Sequence, residues 1–318
     1  MRALRPFLAC VAVVLSSFPA AAQYTSVAGD NIPVERVREQ VRRADGVVET
    51  QEVVRPVARD DFGNARGNQN DLAIDGAFDG QTVAVLQLYT GEGFDFSLPE
   101  AALKEKGFSV SRWVNEPPSP EELNKALQKA CQLWILSDSR RHLSDAHLKV
   151  IRKFFDAGHG IYLWGDNAPY YEDANAVGNA LFGAYLSGNV HGDQTVGLQV
   201  EPDGPGLLRR HLLTTGLEFL YEGITISGLV AGRHLKPLLY GSAGILVAAF
   251  YDKRGKRALF DGGYTRLFVK WDTAGTARYV KNAAAWLANA ERFGDAVVAQ
   301  GARSGASQQP PSRPSPKP

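Results

Sequence analysis

The sequence predicts a three-layer α/β domain with a doubly wound, mostly parallel sheet of the flavodoxin-like kind, flanked by tails expected to lack a fold. Three observations predict it. Short apolar runs recur through residues 81–293, amphipathic segments lie between several of them, and residues 23–80 and 294–318 show neither pattern. A strand that is apolar throughout must be covered on both faces. Strand–helix alternation with right-handed crossovers provides that cover.

The chain begins with Arg2 and Arg5, then a short apolar run over 7–18, then Ala20-Ala21-Ala22. That is the anatomy of a secretory signal, with cleavage expected after Ala22. The run is shorter than the about 20 residues a bilayer span needs. The mature chain is therefore expected in the periplasm or outside the cell, with no membrane span after cleavage. Residues 1–22 hold two of the 35 basic residues and no acid, so 33 basic residues face 34 acidic ones in the remainder. That balance argues against nucleic acid or an anionic membrane surface as a partner. Cys10 leaves with the signal. The remaining Cys131 has no partner for a disulfide and reads as a small buried hydrophobe.

Residues 23–80 read as a polar linker, largely disordered, with a short amphipathic helix expected around Val34–Arg43. Strands are expected over 82–89, 108–114, 132–138, 160–166, 245–252 and 257–263. Helix 97–106 places Leu98, Ala102 and Leu103 on one face and stops at Gly107. Helix 119–130 opens with Ser119 as cap and Pro120 as first residue. Helix 144–157 opens at Ser144, carries the stripe Leu148, Ile151, Phe154 and Phe155, and ends at Gly158. A last helix over 274–290 is expected to be capped by Asp272 or Thr273. Residues 183–243 break the alternation, and added antiparallel strands or long loops are expected there. The ending QQPPSRPSPKP is Pro-rich, and 294–318 is expected to be disordered.

In such a sheet ligands bind at the carboxyl ends of the strands. The residues there are Asp138 after 132–137, Asp166 and Asn167 after 160–165, and Asp261 and Arg266 from the 257–263 strand onward. Residues 165–175 form the leading candidate segment. Asp166 and Asn167 sit at a turn, Pro169 is expected to start the next helix, and Tyr170 and Tyr171 offer flat rings for stacking. Either acid or amide could equally serve as a helix cap. Glu222 follows a short apolar run and could converge with Asp261 and Arg266. An Arg–carboxylate pair that only ties loops together fits the same residues.

The chain resembles the class I glutamine amidotransferase-like superfamily, including its ThuA-like branches, over about residues 82–290. The resemblance rests on Ser137-Asp138 ending a strand before a helix, the turn Gly158-His159-Gly160, and the segment His211-Leu212-Leu213-Thr214-Thr215-Gly216-Leu217. It also rests on the strand into Asp261-Gly262-Gly263 and the helix holding Asn282 to Leu287. Active relatives carry a Cys nucleophile on a strand–helix elbow within G-x-C-x-G, and an H-x-E pair before the last helix. Here the elbow reads Trp164-Gly165-Asp166-Asn167, with neither Cys nor H-x-E in those places. Glutamine hydrolysis by that route lacks its nucleophile and its base.

Two other strings fail on context. WDTAGT (271–276) matches a GTPase string, but no G-x-x-x-x-G-K-[ST] loop accompanies it. His191 with Asp193 is a weak metal pair, and the six His residues show no tight ligand spacing. No metal or cofactor is expected. The sequence thus implies an exported, non-catalytic module that binds a small molecule, a carbohydrate among the candidates, or an unidentified protein. Two alternatives remain open: a divergent hydrolase using Asp166 with a second acid or His, and a structural component of the cell envelope.

Overall fold

The computed structural model describes residues 23–293 apart from Arg233 and Asp272. The expected signal (1–22), the Pro-rich tail (294–318) and the capping role of Asp272 lie outside the described residues. An eight-stranded sheet organises the described chain. Five strands run parallel: β3 (Thr82–Gln87), β4 (Ser109–Val114), β5 (Gln132–Leu136), β6 (Gly160–Trp164) and β14 (Lys256–Asp261). Three more add antiparallel beyond β14: β13 (Leu246–Lys253), β12 (Lys236–Tyr240) and the short β9 (Gly206–Leu207). The order across the sheet is β4-β3-β5-β6-β14-β13-β12-β9. The parallel part matches the alternation in the sequence.

Side chains leave these strands alternately toward two cores. Val83, Val85, Trp134, Leu136, Tyr162 and Trp164 face the layer of α1 (Ser97–Glu105) and α5 (Thr276–Leu287). Ala84, Leu86, Leu133, Ile135, Ile161 and Leu163 face α2 (Pro120–Leu127), α3 (Asp145–Asp156) and α4 (Glu172–Phe182). Each set is one pleat face, which is why the runs read as continuously apolar. Ser119 and Ser144 each form a capping box at the start of α2 and α3.

The stretch 183–243 supplies the expected antiparallel pairs. β7 (Tyr185–His191) pairs with β11 (Thr225–Val230), and β8 (Thr195–Gly197) with β10 (Phe219–Tyr221).

Three local expectations are corrected. Residues 23–80 are not a disordered linker. β1 (Val34–Arg42) and β2 (Val48–Pro56) form an antiparallel hairpin, so the helix expected around Val34–Arg43 is a strand. Its valines fit a helical spacing, but β-branched residues facing a second Val-rich segment favour cross-strand pairing. Residues 60–80 then enter the body: Ala65, Leu72 and Phe78 are buried, and Phe78 stacks on Phe108 at 4.6 Å. Polar residues make this possible. Asn31 donates to the carbonyls of Thr214 and Leu217, and Asp71 pairs with Lys106, Lys281 and Arg278 at 2.7–2.9 Å.

Thr273 does not cap the last helix. α5 starts after Gly275 (φ 77°), where a Cβ would lie 2.6 Å from Leu217, so a glycine is required. Pro169 does not open α4, which begins at Glu172. Pro169 lies in the preceding turn, closed by Tyr170 N–H to the Asn167 carbonyl at 2.8 Å.

Candidate functional site

β3 continues to β4 on one side and neighbours β5 on the other, so strand order reverses at the carboxyl ends of β3 and β5. That is where a crevice forms in open α/β sheets. Asp138 stands there, just past β5, and its Oδ2 lies 3.2 Å from His142 Nε2. The other ring nitrogen of His142 faces Glu116 at 3.4 Å, and Arg140 bridges to Glu116 at 3.1 Å. Both nitrogens of a buried imidazole are engaged by carboxylates, so the ring ties the loop after β4 to the loop after β5. Sequence reasoning named Asp138 but missed Glu116, Arg140 and His142. The signal was the i,i+4 placement of His142 after Asp138.

The elbow expected after Trp164 lies at this same rim: Gly165 N–H donates to the Asp261 carbonyl at 2.8 Å, fixing β6 against β14. Here the first amides of α4 meet their own chain. Asp173 and Ala174 N–H donate to Ser137 Oγ at 2.8 and 3.2 Å. The Asp173 carboxylate in turn accepts from the His142 and Leu143 amides at 2.9 and 2.8 Å, and burial pushes its pKa up.

Asp166 is only 2% exposed. It lies beside Tyr264, whose hydroxyl is driven well above the usual phenol range by burial and then by the Asp166 charge. Tyr89 packs between Tyr170 and Tyr264, with ring centroids at 5.4 and 5.3 Å, and Phe94 and Phe268 extend the cluster. Asp166 is thus buried, with the Tyr264 end of this aromatic cluster near enough to feel its charge. Asn167 accepts from the Thr225 hydroxyl at 2.8 Å, tying the elbow to β11.

Asp261 is fully buried at the end of β14. It accepts from Arg266 Nη2 at 2.6 Å, Tyr279 OH at 2.8 Å and Gly263 N–H at 3.0 Å. Burial raises its pKa, and the Arg266 guanidinium opposes that rise. Arg266 is buried over the Trp164 and Tyr279 rings and donates from Nε to the Gly263 carbonyl at 2.9 Å. The pair ties loops together, one of the two readings the sequence allowed. Glu222 is near enough to add to the negative charge around Arg266, but its hydrogen bonds go elsewhere. Its carboxylate accepts from Ser242 N–H and Oγ, both at 2.6 Å, and holds the turn between β12 and β13. A Cβ at Gly241 would sit 2.6 Å from that carboxylate, so only glycine admits it.

The six charged or amide candidates thus divide. Asp261 and Arg266 meet, Asp166 and Asn167 share the elbow below Tyr170, Asp138 belongs to the His142 cluster, and Glu222 holds a turn. They do not form one open cleft. Asp193 is engaged by Lys270 and by Tyr221 OH rather than forming a pair with His191. Among the described residues no group of three or more His, Cys, Asp or Glu is placed to hold a metal ion, and no helix is long and apolar enough to cross a membrane.

No family model matches the chain, and no curated protein matches its sequence. Solved structures do. A ThuA-like protein from Bacteroides uniformis is similar over 66% of this chain and 91% of its own, at 12% identity and a TM-score of 0.45. A ThuA-like protein from Parabacteroides merdae is similar over 65% and 89%, at 12% identity and a TM-score of 0.43. An exo-β-1,4-mannosidase from an Opitutaceae bacterium is similar over 74% of this chain but 37% of its own, at 10% identity and a TM-score of 0.35. Two of these three neighbours are thus described as ThuA-like. At these identities the likeness concerns the fold alone.

Proposed function

We propose that the chain is an exported, non-catalytic ligand-binding or protein-interaction module on an amidotransferase-like scaffold. The supporting observation is the state of the carboxyl-end rim. Asp138, Asp173 and Asp261, the His142 imidazole and the α4 N-terminus are engaged within the chain, and Asp166 is buried. A general base must reach its substrate within hydrogen-bond distance. A paired-acid hydrolase also needs two carboxyl groups about 5–9.5 Å apart across an open cleft. Burial of Asp166 and the internal partners of Asp261 and Glu222 speak against that alternative.

The β1–β2 hairpin supports the interaction reading. Val34, Val48 and Val54 on it are about half exposed. A lone two-stranded hairpin is marginal in water, and its outer edges can accept another strand. Export rests on the signal-like residues 1–22.

The test is turnover by the purified protein on ester, amide, glycoside and glutamine substrates, beside Asp166→Asn and Asp166→Ala. The proposal expects no turnover above background in any of the three. Turnover by the parent chain that both variants lose, with folding intact by circular dichroism, would overturn it.

A further inference from the structure

We propose that the groove beside β12 binds the chain's own Pro-rich segment, residues 310–318, as an extended polyproline strap. The groove encloses about 370 Å³ and is lined by Pro202, Leu208, Pro237, Tyr240 and Phe250, with Asp203 and Lys236 at its margins. It lies where the sheet runs out. β9 covers only Leu239 and Tyr240, leaving the start of β12 without a strand neighbour on that side. Val200, in the same loop as Pro202, is 80% exposed.

Aromatic and proline side chains flanking a shallow trough suit a polyproline II segment, which arrives already extended and loses little entropy on docking. The sequence supplies one: Pro310, Pro311, Pro314, Pro316 and Pro318, with Pro311 and Pro314 in a P-x-x-P spacing. Charge agrees. Beyond Asp295 the chain holds Arg303, Arg313 and Lys317 and no acid, while Asp203 borders the groove next to Pro202 and Glu201 is exposed nearby.

The reach is right. Phe293 stacks on His159 at 5.0 Å, and Arg292 donates to the Gly255 carbonyl at 2.8 Å, so the chain leaves the body at the turn between β13 and β14. From that turn back to Phe250 is roughly 13 Å of strand. Sixteen residues, and so seventeen Cα–Cα steps, separate Phe293 from Pro310. A random coil of seventeen steps has a root-mean-square span of about 23 Å and a fully extended limit of roughly 58 Å. Such a tether gives the groove a local strap concentration on the order of millimolar, enough to fill a weak site. The inference does not depend on whether the rim is catalytic.

The test uses residues 23–318, which lack Cys10, with Ser307→Cys carrying a spin label. Cys131 is buried and its thiol is pushed up to about 12, so it does not compete for the label. Amide signals of residues 199–208 and of Leu238–Tyr240 are expected to lose intensity through the nearby label. Pro311→Ala with Pro314→Ala, outside the folded body, is expected to restore them, as is Tyr240→Ala. Absent or diffuse broadening, or broadening that survives both proline replacements, overturns the proposal. A mixed sample, with the label on one chain and the isotope on another, separates the sources. Loss there equal to that within one chain would assign the groove to a second copy and overturn the intramolecular strap.

Discussion

Above β6 and β14, charged groups are buried and paired inside the chain, as Asp261 is with Arg266, although Arg266 Nη1 and Trp164 Nε1 have no hydrogen-bond partner among the described residues. Beside β12, apolar groups stand open at an unfinished sheet edge. The first region is where this fold class places ligands, yet the Asp261–Arg266 pair and the packed rings of Tyr89, Tyr170 and Tyr264 lie there. The second region is where the regular fold ends, and it keeps a trough. The difference teaches that position on a scaffold gives an address and nothing more. Whether side chains at that address still face outward decides what the site does.

Removing one member of the buried ion pair should have the largest effect and probes the closed half of the comparison. Arg266→Met leaves Asp261 buried beside two tyrosines without its cation, which costs about 3–5 kcal/mol. Urea unfolding reads it. The double variant Asp261→Leu with Arg266→Met should regain much of that loss, because a buried apolar pair leaves no unmatched charge. No loss in Arg266→Met would mean that the pair is not holding the rim shut.

An effect of about the same order or less concerns the floor of the open half. His211 stacks on Phe250 at 4.4 Å and accepts from Leu213 N–H at 3.2 Å. Burial lowers its pKa from 6.5 to about 4. The unfolded chain therefore protonates this ring before the folded chain does. Its contribution is complete above about pH 6.5 and is lost as pH falls toward 4, roughly 3 kcal/mol in all. Burial depresses His159 as well, with the same sign. The difference in unfolding free energy between the parent chain and His211→Gln, followed from pH 7 to 4, isolates the His211 share. Parallel curves for the two proteins would refute it.

The smallest effect links the regions. Glu222→Gln keeps the shape but loses one of two charge-assisted acceptors for Ser242, at a cost of about 1–3 kcal/mol. Thermal unfolding checks the loss. The expected companion is faster amide exchange at Ser242 and along β12, which would loosen the groove without opening the rim.

Much of the fold was legible because local signals agreed with tertiary ones. The pleat of β5 and β6 shows as unbroken apolar runs, and Ser119 and Ser144 announce α2 and α3. The stretch 23–80 was illegible for the opposite reason. Its core contributions are single residues such as Leu72 and Phe78, separated by polar ones whose partners lie far along the chain. Asp71 finds Arg278 across 207 positions, and no local pattern encodes that. The elbow was legible by element order. Its closure was not, because Tyr89 follows β3 and Tyr264 follows β14, and only the assembled rim packs them together with Tyr264 near Asp166.

The central claim is that the rim's acids belong to the fold and not to solvent. Carbodiimide labelling of the native chain, mapped by mass spectrometry, tests this most directly, with Asp61 (side chain 96% exposed) as the internal reference. Asp166, Glu222 and Asp261 should stay unmodified while Asp61 reacts, with Asp138 slow and intermediate. Modification of Asp166 at the rate of Asp61 would contradict the account and return the elbow to the list of working sites.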